Sequence, residues 1–379
     1  MGTLITARVE ALIPPLLALV SALIAISLGL WLSGANALVV FFALLEGAGG
    51  DQYRLTETLV KACPLLYTGL AVTLSLQAGV WNIGAEGQFL LGALATAWVG
   101  QYTVSLSPIL GVPLVCAGAM LAGSLWASYA ALLKNKRGVN EVISTIMFNF
   151  IAASLVSYCV QGPLMEAAGQ YPQTDLLPES ARLPRLLPPT RLHLGVPLTL
   201  FATAAVWFLL FRTKAGFKLR ASGANPVAAR FAGIPVERQV GLALVLSGAL
   251  AGLAGGIEVS GVTQRVYEKF SPGYGYTAIA VALVGQRSPL GVVLAALLFG
   301  ALDAGSGTIQ RVAGVSSVLV SVIQATVVFF LAAYSTEKVQ RLLRLRSASV
   351  TLTLIFVLGF SFITDSPLGY GFFLHLFHQ

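Results

Sequence analysis

The sequence predicts an all-α polytopic integral membrane protein, and three observations carry that prediction. Only 10% of the 379 residues are charged, whereas a soluble domain carries about a quarter. The mean hydropathy is +0.83, too apolar a chain to cover a globule with polar surface. The apolar runs also have bilayer length: a spanning helix needs roughly 20 residues, and Ala11–Leu32 supplies 22 without a charge.

Runs of this kind fall at 11–32, 56–79, 84–104, 109–133, 139–161, 195–211, 239–262, 274–286, 289–309, 317–334 and 349–373. They amount to about ten transmembrane helices and a possible extra span at the carboxyl end. The first run has a rival reading as a signal peptide, with Ala35-Asn36-Ala37 as its cleavage site. It exceeds the 7–15 residues of a signal h-region, so a retained span is favoured. Residues 274–286 are too short to cross unless they belong to a broken helix. Glycine breaks open GQFLLGALA at Gly87 and GVVLAALLFGALD at Gly291, a weak sign of pseudo-repeat halves that meet near the bilayer midplane.

Basic residues gather between runs: Lys134, Lys136 and Arg137; then Arg212, Lys214, Lys218, Arg220, Arg230 and Arg238; then Lys338, Arg341, Arg344 and Arg346. Short loops rich in Lys and Arg stay in the cytoplasm. Counting spans puts all three groups there, together with the amino terminus, provided 274–286 crosses. The connection at 33–55 and the proline-rich stretch 162–194 then lie outside. The latter reads equally as an ordered cap, a docking surface, or a solvated loop. The chain divides into a single transmembrane domain, 1–346, and a hydrophobic extension, 347–379, of open topology. The formal charge of +8 follows from these loop clusters and does not call for nucleic acid. Cys63, Cys116 and Cys159 lack metal or disulfide spacing and read as small hydrophobes.

Four segments could carry chemistry. GVWNIGAEGQFLLG, from Gly79, sets Asn82, Glu86 and Gln88 among four glycines. Backbone freed by a helix break must be satisfied by protein or by a wet cavity. Glu86 in the first turn of the next helix gains from its positive end. A capped helix and a polar lining for a translocation path are equally good accounts. In VNEVISTIMFNF, Asn140 is the N-cap and Glu141 sits in the first turn. Asn149 lies eight residues on, about 12 Å deeper, as interhelical glue or as a solute contact. In GFKLRASGANPVAARFAGIPVER, Asn225 caps and Pro226 starts a helix of about seven residues; Gly233 and Pro235 stop it. Such a helix cannot stand alone and must rest on protein, lipid or a partner. YGYTAIAVALVGQRSPLG, from Tyr274, reads as a broken helix. No P-loop, HExxH, CxxC or GxSxG motif occurs, so no catalytic or metal site is expected, and the chain reads as a non-enzyme without its own ATPase site.

GVWNIGAEGQ, VNEVISTIMFN and ASGANPVAARFAGIP together resemble the permease subunits of ABC importers. Within these they resemble the branched-chain amino acid and simple-sugar permease family, most nearly its nucleoside branch, over about residues 11–340. The resemblance implies a second permease, two ATPase subunits that bind ATP and Mg, and an extracytoplasmic solute-binding lipoprotein. No cofactor belongs to this chain itself, and its location is a bacterial cell membrane. The resemblance places the coupling helix within 212–238, with Gly223, Asn225, Pro226, Ala229, Arg230 and Gly233 in the contact with the ATPase. The substrate path falls to Asn82, Glu86, Gln88, Phe148 and Asn149, amides and an aromatic face suited to a neutral nucleoside. The apolar run after Arg346 departs from the family pattern.

Competing readings remain open within the sequence. A sugar or branched-chain amino acid permease is the near alternative. An ATP-independent secondary transporter would use an ionisable group such as Lys61, Glu86, Glu258 or Asp303 within a span. A membrane scaffold would carry no solute.

Overall fold

The computed structural model describes residues 20–31, 34–314, 316 and 318–334, and its regular secondary structure there is helical, without a strand. Strand-type pairing among the described residues consists of two isolated bridges, Gln173 with Tyr267 and Arg185 with His193. The run at 349–373, the third basic group, the extension 347–379 and the first residues of the 11–32 run lie outside the described residues.

In chain order the helices are α1 (Val20–Trp31), α2 (Ala37–Gly49), α3 (Gln52–Gln77), α4 (Ala85–Gly100), α5 (Pro108–Arg137), α6 (Glu141–Gln161), α7 (Gly195–Arg212), α8 (Lys214–Ala224), α9 (Pro226–Phe231), α10 (Val236–Glu258), α11 (Tyr274–Val284), α12 (Pro289–Ala313) and α13 (Val318–Tyr334). Six of them, α3, α5, α6, α7, α10 and α12, are long and apolar enough to cross a bilayer. They correspond to six of the sequence runs. The run at 84–104 behaves differently: α4 has 16 residues, about 24 Å at 1.5 Å per residue, less than the ~30 Å hydrocarbon core. Residues 274–286 form the short helix expected of a broken span, and α11 has 11 residues. The connection at 33–55 is not an open loop. It holds α2, which the sequence reading missed because its apolar stretch ends at Glu46 after only nine residues.

The described residues divide between Val40 and Phe41, and again before Val318, into two compact units. In the first, the described part comprises α1, the start of α2 and α13. In the second, α3 is the axis, buried almost continuously from Thr56 to Leu76, with α10, α11 and α12 packed against it. Its partner α10 also packs on α4 and α5. Small residues permit this: a Cβ on Gly252 would run into the Ala119 carbonyl and the Gly123 backbone. Close backbone approach of this kind supplies the van der Waals contact that associates helices in lipid.

The stretch 162–194, termed the cap, is ordered and tied down. Thr174 N–H donates to the Val266 carbonyl (2.8 Å), Leu177 N–H to Gln264 (2.8 Å) and Leu183 N–H to Ser260 (3.0 Å). These bonds hold it against residues 259–268, where α10 runs into a π-turn, Val259–Thr263. Arg191 forms a two-pronged ion pair with Glu57 of α3, its Nε 2.9 Å from one carboxylate oxygen. That neighbouring carboxylate raises the Arg191 guanidinium above its ordinary pKa.

Candidate functional site: the helix break and the basic segment

Two features of the second unit organise a site. The first is the break between α3 and α4. Gln77, at the end of α3, donates from Nε2 to the Arg287 carbonyl (2.7 Å) in the turn between α11 and α12. Gly79 then adopts a left-handed φ of 74°, and residues 78–84 turn back into the bundle. Asn82 ends beside Ser247 of α10, whose hydroxyl donates to the Ala71 carbonyl (2.7 Å). Ala71 stands six residues before Gln77, about 9 Å up α3. The chain therefore re-enters the bundle before α4 begins.

A closed set of hydrogen bonds satisfies the freed backbone and the buried amides. Asn82 Nδ2 donates to Gln88 Oε1 (2.8 Å) and to Ser247 Oγ (2.8 Å). Asn82 Oδ1 accepts from the Gly84 N–H (3.0 Å) and from Gln88 Nε2 (3.1 Å). Asn149 of α6 grips the same turn from the other side. Its Oδ1 accepts from the Gly87 N–H (2.8 Å) and its Nδ2 donates to the Ile83 carbonyl (2.9 Å). Asn82 and Gln88 are each 1% exposed and Asn149 is 2% exposed. Buried polar groups must be paired, since leaving one unpaired costs about 1–3 kcal/mol, and here the partners are protein.

Glu86 joins two helix starts. It sits in the first turn of α4, and its Oε2 accepts from the Gly275 N–H in the first turn of α11 (2.7 Å); Ser271 adds a side-chain bond. Two positive helix ends thus converge on one carboxylate. Gly275 is required there, because a Cβ would overlap the Glu86 backbone. Phe148, adjacent to Asn149, faces elsewhere and packs edge-on against Trp126 of α5, with ring centroids 5.5 Å apart. The structure therefore gathers Asn82, Gln88, Asn149 and Glu86 around one turn and leaves the Phe148 ring apart. Ser247 and Gly275 belong to this assembly but were not foreseen. A serine and a glycine in apolar helices carry no local signal of partners 165 and 189 residues away.

Further ionisable groups lie along α3, α10 and α11. Glu258, at the end of α10, is buried and within electrostatic reach of Lys61 on α3 and of Arg191. Tyr274, first residue of α11, lies within reach of Glu258 and of Asp303 on α12. Its ring also meets Phe89 edge-on at 5.5 Å. On the cap, His193 is 1% exposed. Its Nδ1 accepts from the Gly195 N–H (3.2 Å), which puts the ring proton on Nε2. Burial first, then the nearby Arg191, pushes its pKa down to about 4.

The second feature is the basic segment. Its short helix forms as its sequence dictates: Asn225 Oδ1 accepts from the Val227 N–H (3.1 Å) and the Ala228 N–H (3.0 Å). Pro226 is the first helical residue, and the stop is a Schellman pair, Ile234 N–H to Ala229 (2.9 Å) and Gly233 N–H to Arg230 (2.9 Å), with Gly233 at φ 77°. The helix is α9, six residues long. Ala229 is buried under it while Phe231 is 90% exposed. Arg230 pairs with Glu237 at 2.7 Å. Preceding it, α8 was not anticipated as a helix. Its end meets the first feature directly, for a Cβ on Gly223 would lie 2.7 Å from the Gly79 nitrogen. The two motifs singled out separately in the sequence touch backbone to backbone.

Six long apolar helices around a re-entrant polar turn, with the end of α8 set against that turn through Gly223, are the features of a polytopic membrane protein. Residues 54–333 match the family described as branched-chain amino acid transport system / permease component, and the chain belongs to that family. It is similar to the glucose ABC transporter permease protein TsgB13 of Haloferax volcanii, 40% identical across 74% of this chain and 76% of that one. It is similar to the guanosine ABC transporter permease protein NupP of Bacillus subtilis, 36% identical across 86% of this chain and 94% of that one. It is also similar to the nucleoside ABC transporter permease protein NupB of Lactococcus lactis, 29% identical across 86% and 92%.

Proposed function

We propose that this chain forms the translocation path for nucleosides in an ABC importer, driven by a separate ATPase that seats on α9. The observation that carries the solute is the likeness to a guanosine permease over 86% of this chain and 94% of the relative. A second permease is supported by the parallel likeness to another guanosine ABC transporter permease protein of the same Bacillus subtilis strain, NupQ, at 29% identity. The ATPase subunits would hold ATP and Mg, and an extracytoplasmic lipoprotein would deliver solute to the cap side. The α8–α9 end faces the cytoplasm in this reading, in keeping with its excess of Lys and Arg, and the count of spans puts the amino terminus on the same side.

The mechanical part follows from the contacts. Closure of the ATPases displaces α9, and α8 transmits the movement to Gly79 at the mouth of the break. A lever needs a discrete, two-state packing at its end, and the Asn82–Gln88–Ser247–Asn149 set provides one closed arrangement. In this conformation Asn82, Gln88 and Asn149 are the wall of the path, and they contact solute directly only when their mutual bonds open. Glu86 fastens α4 to α11, while the Phe148 ring packs on Trp126 outside the wall. Glu258, within electrostatic reach of Lys61 and of Tyr274, adds charged and hydroxyl groups able to bond a ribosyl ring.

A sugar permease is the second reading, favoured by the 40% identity to TsgB13. Uptake of labelled guanosine and uridine into cells with and without this gene separates them. Energy-dependent uptake that disappears with the gene and ignores excess glucose or ribose supports the nucleoside. Uptake unchanged by loss of the gene removes that assignment, and competition by the free sugar moves it to sugars. Uptake that persists after ATP depletion with the ion gradients held would return the chain to the secondary-transporter class.

A further inference from the structure

The corner where α7 meets α8 has chemistry that the transport reading does not use. An open groove of about 560 Å³ is lined by Phe211, Arg212, Lys214, Phe217, Lys218 and Arg220. Arg220 is held in place, its Nε donating to the Leu210 carbonyl (3.0 Å) and its guanidinium carbon 4.9 Å above the Phe211 ring. Arg212 lies 5.4 Å over the Trp207 ring. Among the described residues none of Arg212, Lys214, Lys218 and Arg220 has a carboxylate within ion-pair distance. Four cations around one concavity with no counter-charge call for an anion.

We propose that this groove binds the phosphate headgroup of an anionic phospholipid. Two observations favour lipid over a protein partner. The groove continues from an apolar face: Trp207, Phe208 and Phe211, on the last turns of a helix long enough to span, are all exposed. In a bilayer such a face meets acyl chains, and aromatic rings gather at the headgroup level. On α8, Lys214, Phe217 and Lys218 share one face at spacings of three and four, with Phe217 61% exposed beside the two ammonium groups. An apolar ring dipping inward while cations reach the headgroups is the pattern of a helix lying in the interface. The groove also reaches Ala232 and Ile234 just past α9, whereas on α9 itself, the helix offered to the ATPase, Arg230 is already neutralised by Glu237. Basic pockets at the cytoplasmic ends of spans attract anionic headgroups, with about 1 kcal/mol per cation. The proposal rests on the α7–α8 end lying at the cytoplasmic membrane surface and is independent of which solute is carried.

The test uses the full chain, purified with its partner subunits and placed in nanodiscs of phosphatidylcholine containing a fluorescent phosphatidylglycerol. Phosphatidylglycerol is expected to bind in preference to labelled phosphatidylcholine. The R212Q/K214Q/K218Q variant should weaken that binding about a hundredfold, and each single change about fivefold. K214R/K218R should retain it, and R230Q should leave it unchanged. If the triple variant does not purify as one species, K214Q and K218Q, both surface changes, decide. Wild-type binding in those variants overturns the proposal. So does equal competition by inorganic phosphate, which would mark a free-anion site. Loss of the ATPase from the purified variant, with phosphatidylglycerol still bound, would assign the groove to the partner instead.

Discussion

The α8–α9 segment and the α3–α4 break are both interruptions of a helical bundle, rich in Gly and Asn, yet they are built by opposite means. In the segment the decisive bonds are local: Asn225 caps residues two and three positions on, and Gly233 closes the stop within five. In the break they are distant: Asn82 meets Ser247, Asn149 meets Gly87, and Glu86 meets Gly275. A locally capped helix keeps its shape when it moves as a body. A turn stitched from α4, α6, α10 and α11 has a single arrangement for any one packing of those helices. The first suits a lever and the second suits the element that a lever switches, and Gly79 against Gly223 is where they join.

The contrast yields graded expectations for stability, measured by thermal unfolding of the purified full-length chain. Asn82→Ala should be the most damaging, about 3–4 kcal/mol, because four buried bonds are lost and Gln88 is left unpaired at both ends. A loss under 1 kcal/mol would show that the break is not held by this network. The cap, also stitched over long distances, should respond to acid. His193 folded titrates at about 4 against an ordinary 6.5, so the unfolded chain binds the extra proton between those values. Stability should therefore be full above pH 6.5 and fall as pH drops toward 4, by roughly 3 kcal/mol in total. His193→Gln should flatten that slope, and an unchanged slope would exclude His193 as its source. Gly275→Ala should cost about 2 kcal/mol by forcing α11 off Glu86, where an equal stability would contradict the close approach. Asn225→Ala should be mildest, about 1 kcal/mol, and yet the most harmful of the four to transport. If it destabilises as strongly as Asn82→Ala, the local character assigned to the segment is mistaken.

The same division explains what the sequence made legible. Six spans of full length were visible because each is a continuous apolar run. The start and stop of α9 were visible because caps are written within a few residues. α2 was missed because a short apolar helix ending in Glu46 has the look of a connection, and α8 because its basic residues dominate its composition. That Asn82, Glu86 and Gln88 are special could be read from polar residues among glycines. That they bond to one another and to Ser247, Asn149 and Gly275 could not, since tertiary packing alone selects those partners.

The central claim is that α9 couples a separate ATPase to the break. It is tested most directly by nucleoside uptake in cells carrying Asn225→Ala with Pro226→Gly, which loosens the helix without touching the bundle. The account predicts normal amounts of protein in the membrane and loss of energy-dependent uptake. Uptake at the unmodified rate would contradict it.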